Sequence, residues 1–130
     1  MTPASILLMD DDEMMRIILL QYLQRLGHTG EAAASGSEAI GMYRRAMAAG
    51  RRYDAVILDL DIRGGMGGLE TVGKLHAVDP DVKAIVASGH ANHPVMSNIW
   101  DHGFVAMLIK PFRLQDLERV LDKVLPTIAS

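Results

Sequence analysis

Two stretches decide the fold: Ile6-Leu7-Leu8-Met9-Asp10-Asp11-Asp12-Glu13 and Asp54-Ala55-Val56-Ile57-Leu58-Asp59. Each is a short unbroken apolar run that ends in carboxylates. Such runs have strand length, and the lack of polar alternation is the pattern of a strand covered on both faces. The runs Ala84-Ile85-Val86-Ala87, followed by Ser88, and Val105-Ala106-Met107-Leu108-Ile109, followed by Lys110, repeat it. Thr29 to Ser35 is a weaker run, poor in β-branched residues, and is expected nearer an edge.

Longer stretches with helical spacing lie between the strands. Met14 to Leu26 repeats apolar residues at Met15, Ile18, Leu19, Tyr22, Leu23 and Leu26, with Gly27 placed as a C-terminal cap. Ser37 to Ala49, Leu69 to Ala77, Asn92 to His102 and Leu114 to Leu125 read as four further helices, the last stopped by Pro126. Strands alternating with helices imply an α/β fold: a doubly wound, five-stranded parallel sheet with helices on both faces. The Gly-rich piece Gly64-Gly65-Met66-Gly67-Gly68 reads as a loop.

The chain has 130 residues, so one domain over 1–130 is expected. Hydrophobic residues make up 49% and charged residues 22%, which argues against a disordered or coiled-coil chain. No apolar run is long enough to span a bilayer. Met1-Thr2-Pro3-Ala4-Ser5 lacks the basic and apolar regions of a secretion signal, and there are no cysteines, which together fit a cytoplasmic setting. The net charge of −3 speaks against direct nucleic-acid binding.

The strand ends carry the chemistry. In open parallel sheets, ligands bind outside the carboxyl ends of the strands. Asp10, Asp11, Asp59, Ser88 and Lys110 all fall there and are expected to converge. Crowded carboxylates repel, so at least one should have a raised pKa. Clustered hard oxygens suit Mg²⁺, and Lys110 adds a positive charge for phosphoryl oxygens. The inferred chemistry is attack by an aspartate carboxylate on an activated phosphoryl group. Asp12 and Glu13 are read as the acidic start of the first helix.

These motifs, in this order, resemble the receiver domains of two-component response regulators, which are CheY-like in fold: Ile6 to Asp11 with Arg16, Asp54 to Leu60, Ser88-Gly89, and Lys110-Pro111-Phe112. The resemblance implies the strand order 2-1-3-4-5. It makes Asp59 the phosphoacceptor. It gives Mg²⁺, or Mn²⁺ in its place, the ligands Asp11, Asp59 and the backbone carbonyl of Asp61, with Asp10 acting through water. Lys110 would contact the phosphoryl group and Ser88 would be the switch hydroxyl. Asp61 and His90 would flank the phosphate and tune its hydrolysis. A cis Lys110-Pro111 peptide is expected. The phosphodonor would be a histidine kinase or a histidine phosphotransfer domain, and the phosphorylated form would act on an output partner the sequence does not name. A homodimer stays open, and no membrane contact is implied.

The chain departs from the usual pattern at two places. The loop after the phosphoacceptor is similar to the Gly-Gly-Met-Gly-Gly version of receivers in hybrid sensor kinases, so a hybrid kinase is the expected parent. Met107 stands where many receivers carry a switching aromatic ring, and a thioether repacks without a ring flip. A second reading is a phosphohydrolase similar to the haloacid dehalogenases, with Asp59-Leu60-Asp61 as nucleophile and general acid. The early acidic pair and the short chain oppose it. His28, His76 and His102 are expected at the surface or at helix ends, and the methionines mostly in the core.

Overall fold

The computed structural model describes residues 3–126. The expected sheet is present: β1 (Ser5–Met9), β2 (Thr29–Ala33), β3 (Ala55–Asp59), β4 (Ala84–Ser88) and β5 (Ala106–Ile109) pair in parallel in the order β2-β1-β3-β4-β5. The apolar runs are continuous because both faces of the central strands are covered. Leu7, Met9, Val56, Leu58 and Val86 point into one core with Ala39, Tyr43, Val72, Leu75 and Phe104. Ile6, Leu8, Ile57 and Ile85 point into the other with Leu19, Leu23, Leu117 and Leu121. Burying such side chains stabilises the fold by roughly 1.5–3 kcal/mol each.

Four α-helices flank the sheet: α1 (Glu13–Arg25), α2 (Gly36–Ala48), α3 (Gly68–Val78) and α4 (Leu114–Val124). Their starts are written locally. Asp12 caps α1 by accepting from the Met14 N–H at 2.9 Å, and Glu13 follows in the first turn, as the sequence implied. Ser35 caps α2, and the Asp116 carboxylate accepts from the Arg113 N–H at 2.8 Å before α4. Gly27 takes φ +85° just past α1, where the left-handed conformation favours glycine.

Two expectations need correction. Asn92 to His102 does not form an α-helix. It makes two short 3₁₀ turns, Pro94–Ser97 and Ile99–His102, broken at Asn98, whose φ of −152° is not helical. The segment is rich in weak helix formers. Its side chains also bond locally, Ser97 Oγ to the Pro94 carbonyl at 2.9 Å and Asn98 Nδ2 to Asp101 at 2.8 Å. Burial of Val95, Met96 and Ile99 then holds it without a helix. The run before Lys110 is not covered on both faces either. β5 is an edge strand, and it exposes Met107 and Ile109. His28 sits at the end of α1, its N–H bonding the Leu23 carbonyl at 2.9 Å, and it is buried there with its Nδ1 accepting the Ala4 N–H at 3.0 Å.

A polar network unannounced by any motif locks the end of the sheet opposite the acidic rim. Asp79, buried after α3, accepts from Tyr43 Oη at 2.6 Å, from Arg52 Nε at 2.9 Å and Nη2 at 3.0 Å, and from the Asp81 N–H at 3.0 Å. Burial alone would raise the Asp79 pKa. The donors from Tyr43, Asp81 and Arg52 outweigh it and hold the carboxyl below its ordinary value. Burial and Asp79 in turn push the Tyr43 hydroxyl up. We expect Asp79→Ala, which leaves the buried Tyr43 hydroxyl unpaired, to lose about 2–3 kcal/mol, and Tyr43→Phe about 1 kcal/mol. Urea unfolding midpoints at unchanged slope measure both. Equal losses would mean that the carboxylate contributes nothing beyond the tyrosine bond.

Candidate functional site

Parallel strands bring the ends of their chain segments to one rim, and there the expected residues meet. Asp10 follows β1 and is buried, its N–H bonding the Ala33 carbonyl at 3.1 Å. Asp59 closes β3 and is 3% exposed. Lys110 follows β5, its N–H bonding the Ser88 carbonyl at 2.8 Å. Its Nζ lies 2.8 Å from Asp10 Oδ2 and 3.2 Å from Asp59 Oδ1, a bridge between two buried carboxylates. Asp11 is exposed, and its Oδ2 accepts from the Arg63 N–H at 3.3 Å. One carboxylate oxygen from each of Asp10, Asp11 and Asp59 can be chosen so that all lie within 4.8 Å of one another. The Lys110-Pro111 peptide is cis, as expected.

The backbone fixes this arrangement. The Asp61 N–H donates to Asp59 Oδ1 at 3.0 Å, and the Asp12 N–H to Asp10 Oδ1 at 2.9 Å. Arg16, half-buried on α1, donates through Nη1 to the Asp10 carbonyl at 2.9 Å, which ties the helix to the acidic turn. Gly68 starts α3 hard against β3: a Cβ there would sit 2.7 Å from the Asp59 carbonyl oxygen. Only glycine allows that approach, so the last glycine of the Gly-rich segment begins a helix.

The electrostatics follow from burial. Desolvation pushes the Asp59 carboxyl up to about 6, and Asp10 adds to it, while the Asp61 N–H and Lys110 oppose. Burial would lower Lys110, but its bonds to Asp10 and the charges of Asp59 and Asp10 hold it above the ordinary lysine value. Among Asp10, Asp11, Asp59 and Lys110, three carboxylates against one ammonium leave an excess of two negative charges. Hard oxygen donors, that charge and partial burial fit a divalent ion such as Mg²⁺, with water or phosphate oxygens completing the shell.

Ser88, Asp61 and His90 lie at the same rim with other partners, while Met107 lies lower on β5, beside Val86. Ser88, fully buried at the end of β4, donates to Asp61 Oδ1 at 2.9 Å, with Oδ2 at 3.1 Å, and accepts from the His90 N–H at 2.9 Å. The Gly89 N–H also reaches Asp61 Oδ2, at 2.7 Å. The His90 side chain is exposed, and Met107 lies on the exposed face of β5. The side-chain clasp by Asp61 escaped the sequence reading, although the Asp59-Leu60-Asp61 spacing had marked the residue.

A doubly wound sheet whose rim joins clustered aspartates to a lysine defines a phosphoacceptor module of two-component signalling. The chain belongs to the response regulator receiver domain family, whose model matches residues 6–122. It is 25% identical over 126 residues to sporulation initiation phosphotransferase F of Bacillus subtilis, covering 97% of each chain. It is 30% identical over 122 residues to the sensor kinase CckA of Brucella abortus, covering 94% of this chain and 12% of that much longer protein. The crystal structure of the response regulator TrrA from Thermotoga maritima, in complex with Mg²⁺ and BeF, superposes with a TM-score of 0.78 at 28% identity, covering 94% of this chain and 99% of that one. The phosphohydrolase reading finds no support. The family match lies elsewhere, and the Asp61 carboxylate is committed to Ser88 and Gly89 rather than poised as a general acid.

A raised Asp59 pKa means that the neutral form is favoured by folding. Its stabilising share is therefore present below the unfolded carboxylate value and is lost as the pH rises through about 6. We expect Asp59→Asn, without divalent metal, to be more stable than the parent at pH 7.5 by on the order of 1–3 kcal/mol. The difference should shrink towards pH 4 and on adding Mg²⁺. Thermal unfolding across that range measures it, and a variant less stable at pH 7.5 would contradict the electrostatic account.

Proposed function

We propose that Asp59 is the phosphoacceptor of this receiver. The observation that carries the reading is a buried carboxylate held by Lys110 and the Asp61 amide beside Asp10 and Asp11. The Asp59 oxygen attacks the phosphorus of a phosphohistidine. A P–O bond forms as the P–N bond breaks, and the imidazole leaves with the electron pair and takes up a proton. The product is an acyl phosphate. Lys110, whose Nζ already bridges Asp10 and Asp59, turns its charge to the phosphoryl oxygens. Asp11, Asp59 and the Asp61 carbonyl would hold Mg²⁺, with Asp10 acting through water, and Mn²⁺ could take the same place. When bound, the ion would supply charge neutralisation for phosphoryl transfer. The Mg²⁺–BeF complex of the related TrrA supports a Mg²⁺ site in this chain.

Ser88 then serves as the switch hydroxyl and Met107 repacks in place of a ring, while Asp61 and His90 set the lifetime of the phosphate. The donor is a histidine kinase or a histidine phosphotransfer domain. Likeness to the sensor kinase CckA, together with the Gly-Gly-Met-Gly-Gly loop, supports a hybrid kinase as the parent protein. No helix among the described residues is long and apolar enough to cross a membrane. The place of action proposed is the cytoplasm, where such donors work.

Incubation with acetyl phosphate and Mg²⁺, followed by intact mass, tests the reading. One phosphoryl group should be added, and none in Asp59→Asn. An unmodified parent chain would overturn it. Asp11→Ala should weaken Mg²⁺ binding about tenfold or more, the loss of one charged ligand. Lys110→Ala should leave Mg²⁺ binding within about threefold and slow phosphorylation by at least about tenfold, the loss of one charge-assisted contact. The reverse pattern would exchange the two roles.

A further inference from the structure

Asp61 grips both halves of the machinery. Its amide donates to the Asp59 carboxylate at 3.0 Å, and its own carboxylate takes the Ser88 hydroxyl at 2.9 Å and the Gly89 amide at 2.7 Å. Ser88 is fully buried, and its hydroxyl has one proton to give. A second contact, from the His90 N–H at 2.9 Å, occupies an acceptor position on the same oxygen and fixes its rotation towards Asp61. Asp61 has no ion-pair partner among the described residues, so its charge rests on these two neutral donors. Charge-assisted bonds of this kind are the strong ones.

Asp59 and Ala87 are register partners on β3 and β4, so Ser88 and Gly89 stand directly beside the phosphoacceptor. A phosphoryl group on Asp59 brings anionic oxygens to that place and needs donors there. Resting on the reading of Asp59 and Ser88 above, we propose that the Asp61 carboxylate is a built-in stand-in for the phosphoryl group. It holds the Ser88 hydroxyl and the Gly89 amide in the resting chain, and the incoming anion must displace it. Asp61 is thus a positioning residue that sets the equilibrium of the switch, a role separate from any effect on hydrolysis. The resting state is closed on an internal anion, and the apparent affinity for a phosphoryl group is reduced by the fraction of chains in which the clasp is shut.

A double-mutant cycle with beryllofluoride and Mg²⁺ tests the clasp, using calorimetry on the parent, Asp61→Ala, Ser88→Ala and the double variant. The parent and Asp59→Asn are titrated alongside. Asp61→Ala should bind beryllofluoride about tenfold or more tightly than the parent, the worth of a lost charged hydrogen bond. In the Ser88→Ala background only the Gly89 amide is still clasped, so the same substitution should gain clearly less, about threefold. Equal gains in both backgrounds would show simple charge repulsion and overturn the clasp. A weaker or unchanged Kd for Asp61→Ala would overturn it as well. Asp61→Asn, which keeps an acceptor for Ser88 but drops the charge, gives a second variant if the alanine chain does not fold, and its gain should lie between parent and alanine. In the parent, the Gly89 amide proton should shift on beryllofluoride binding, and a stationary signal counts against the exchange of acceptors. If beryllofluoride binds no variant, or binds Asp59→Asn as well as the parent, the phosphoacceptor reading itself falls and the clasp with it.

Discussion

The Lys110 ammonium between two buried carboxylates is the contact on which the rest depends. Asp10 and Asp59 sit at the ends of adjacent strands, where the same packing that covers β1 and β3 strips water from their carboxyl groups. Without the Lys110 ammonium, the Asp59 carboxyl would be pushed further still towards its neutral form. Nζ at 2.8 and 3.2 Å keeps charge at the rim without cancelling it. The excess that remains is what a divalent ion answers. A core that demands unbroken apolar strands thereby also produces a site with a raised pKa and an unmet need for a cation.

The opposite end of the sheet is built differently. Asp79 is as little exposed as Asp59, yet every donor around it is supplied by the chain: Tyr43, Arg52 and the Asp81 amide. One carboxylate is satisfied and held below its ordinary pKa, the other is under-compensated and raised. Both carboxylates are shut off from the surface, but Asp59 lies deeper in the protein and meets fewer donors, and the two effects together separate a structural acid from a reactive one.

Much of this was legible in the sequence. The runs ending at Met9, Leu58 and Ala87 read as buried strands because both of their faces face helices, and a period of two cannot show where nothing is polar. Asp10, Asp11, Asp59, Ser88 and Lys110 could be gathered without coordinates because parallel strands share one carboxyl rim. What stayed hidden was set by long-range packing. Apolar spacing over Asn92 to His102 resembled a helix, but Asn98 breaks it and burial of Val95, Met96 and Ile99 needs no helical period. The Val105 to Ile109 run looked fully covered, but strand order leaves β5 at the edge. Asp61 was singled out for its backbone and its place near the phosphate, while its carboxylate reaches across 27 residues to Ser88, a distance no local pattern encodes.

The two margins of the sheet are unequal in a way that bears on how the chain behaves in crowded solution. β2 offers its outer backbone from the stretch Thr29-Gly30-Glu31, where a glycine weakens pairing and a carboxylate repels a like neighbour. β5 carries no charged residue or glycine of its own: Met107 and Ile109 stand exposed on that border, with Asp116, Arg119 and Lys123 of α4 lining the same groove. An extended segment of another molecule can register against that border, so aggregation at high concentration should begin there, and a lysine on β5 would be the natural remedy.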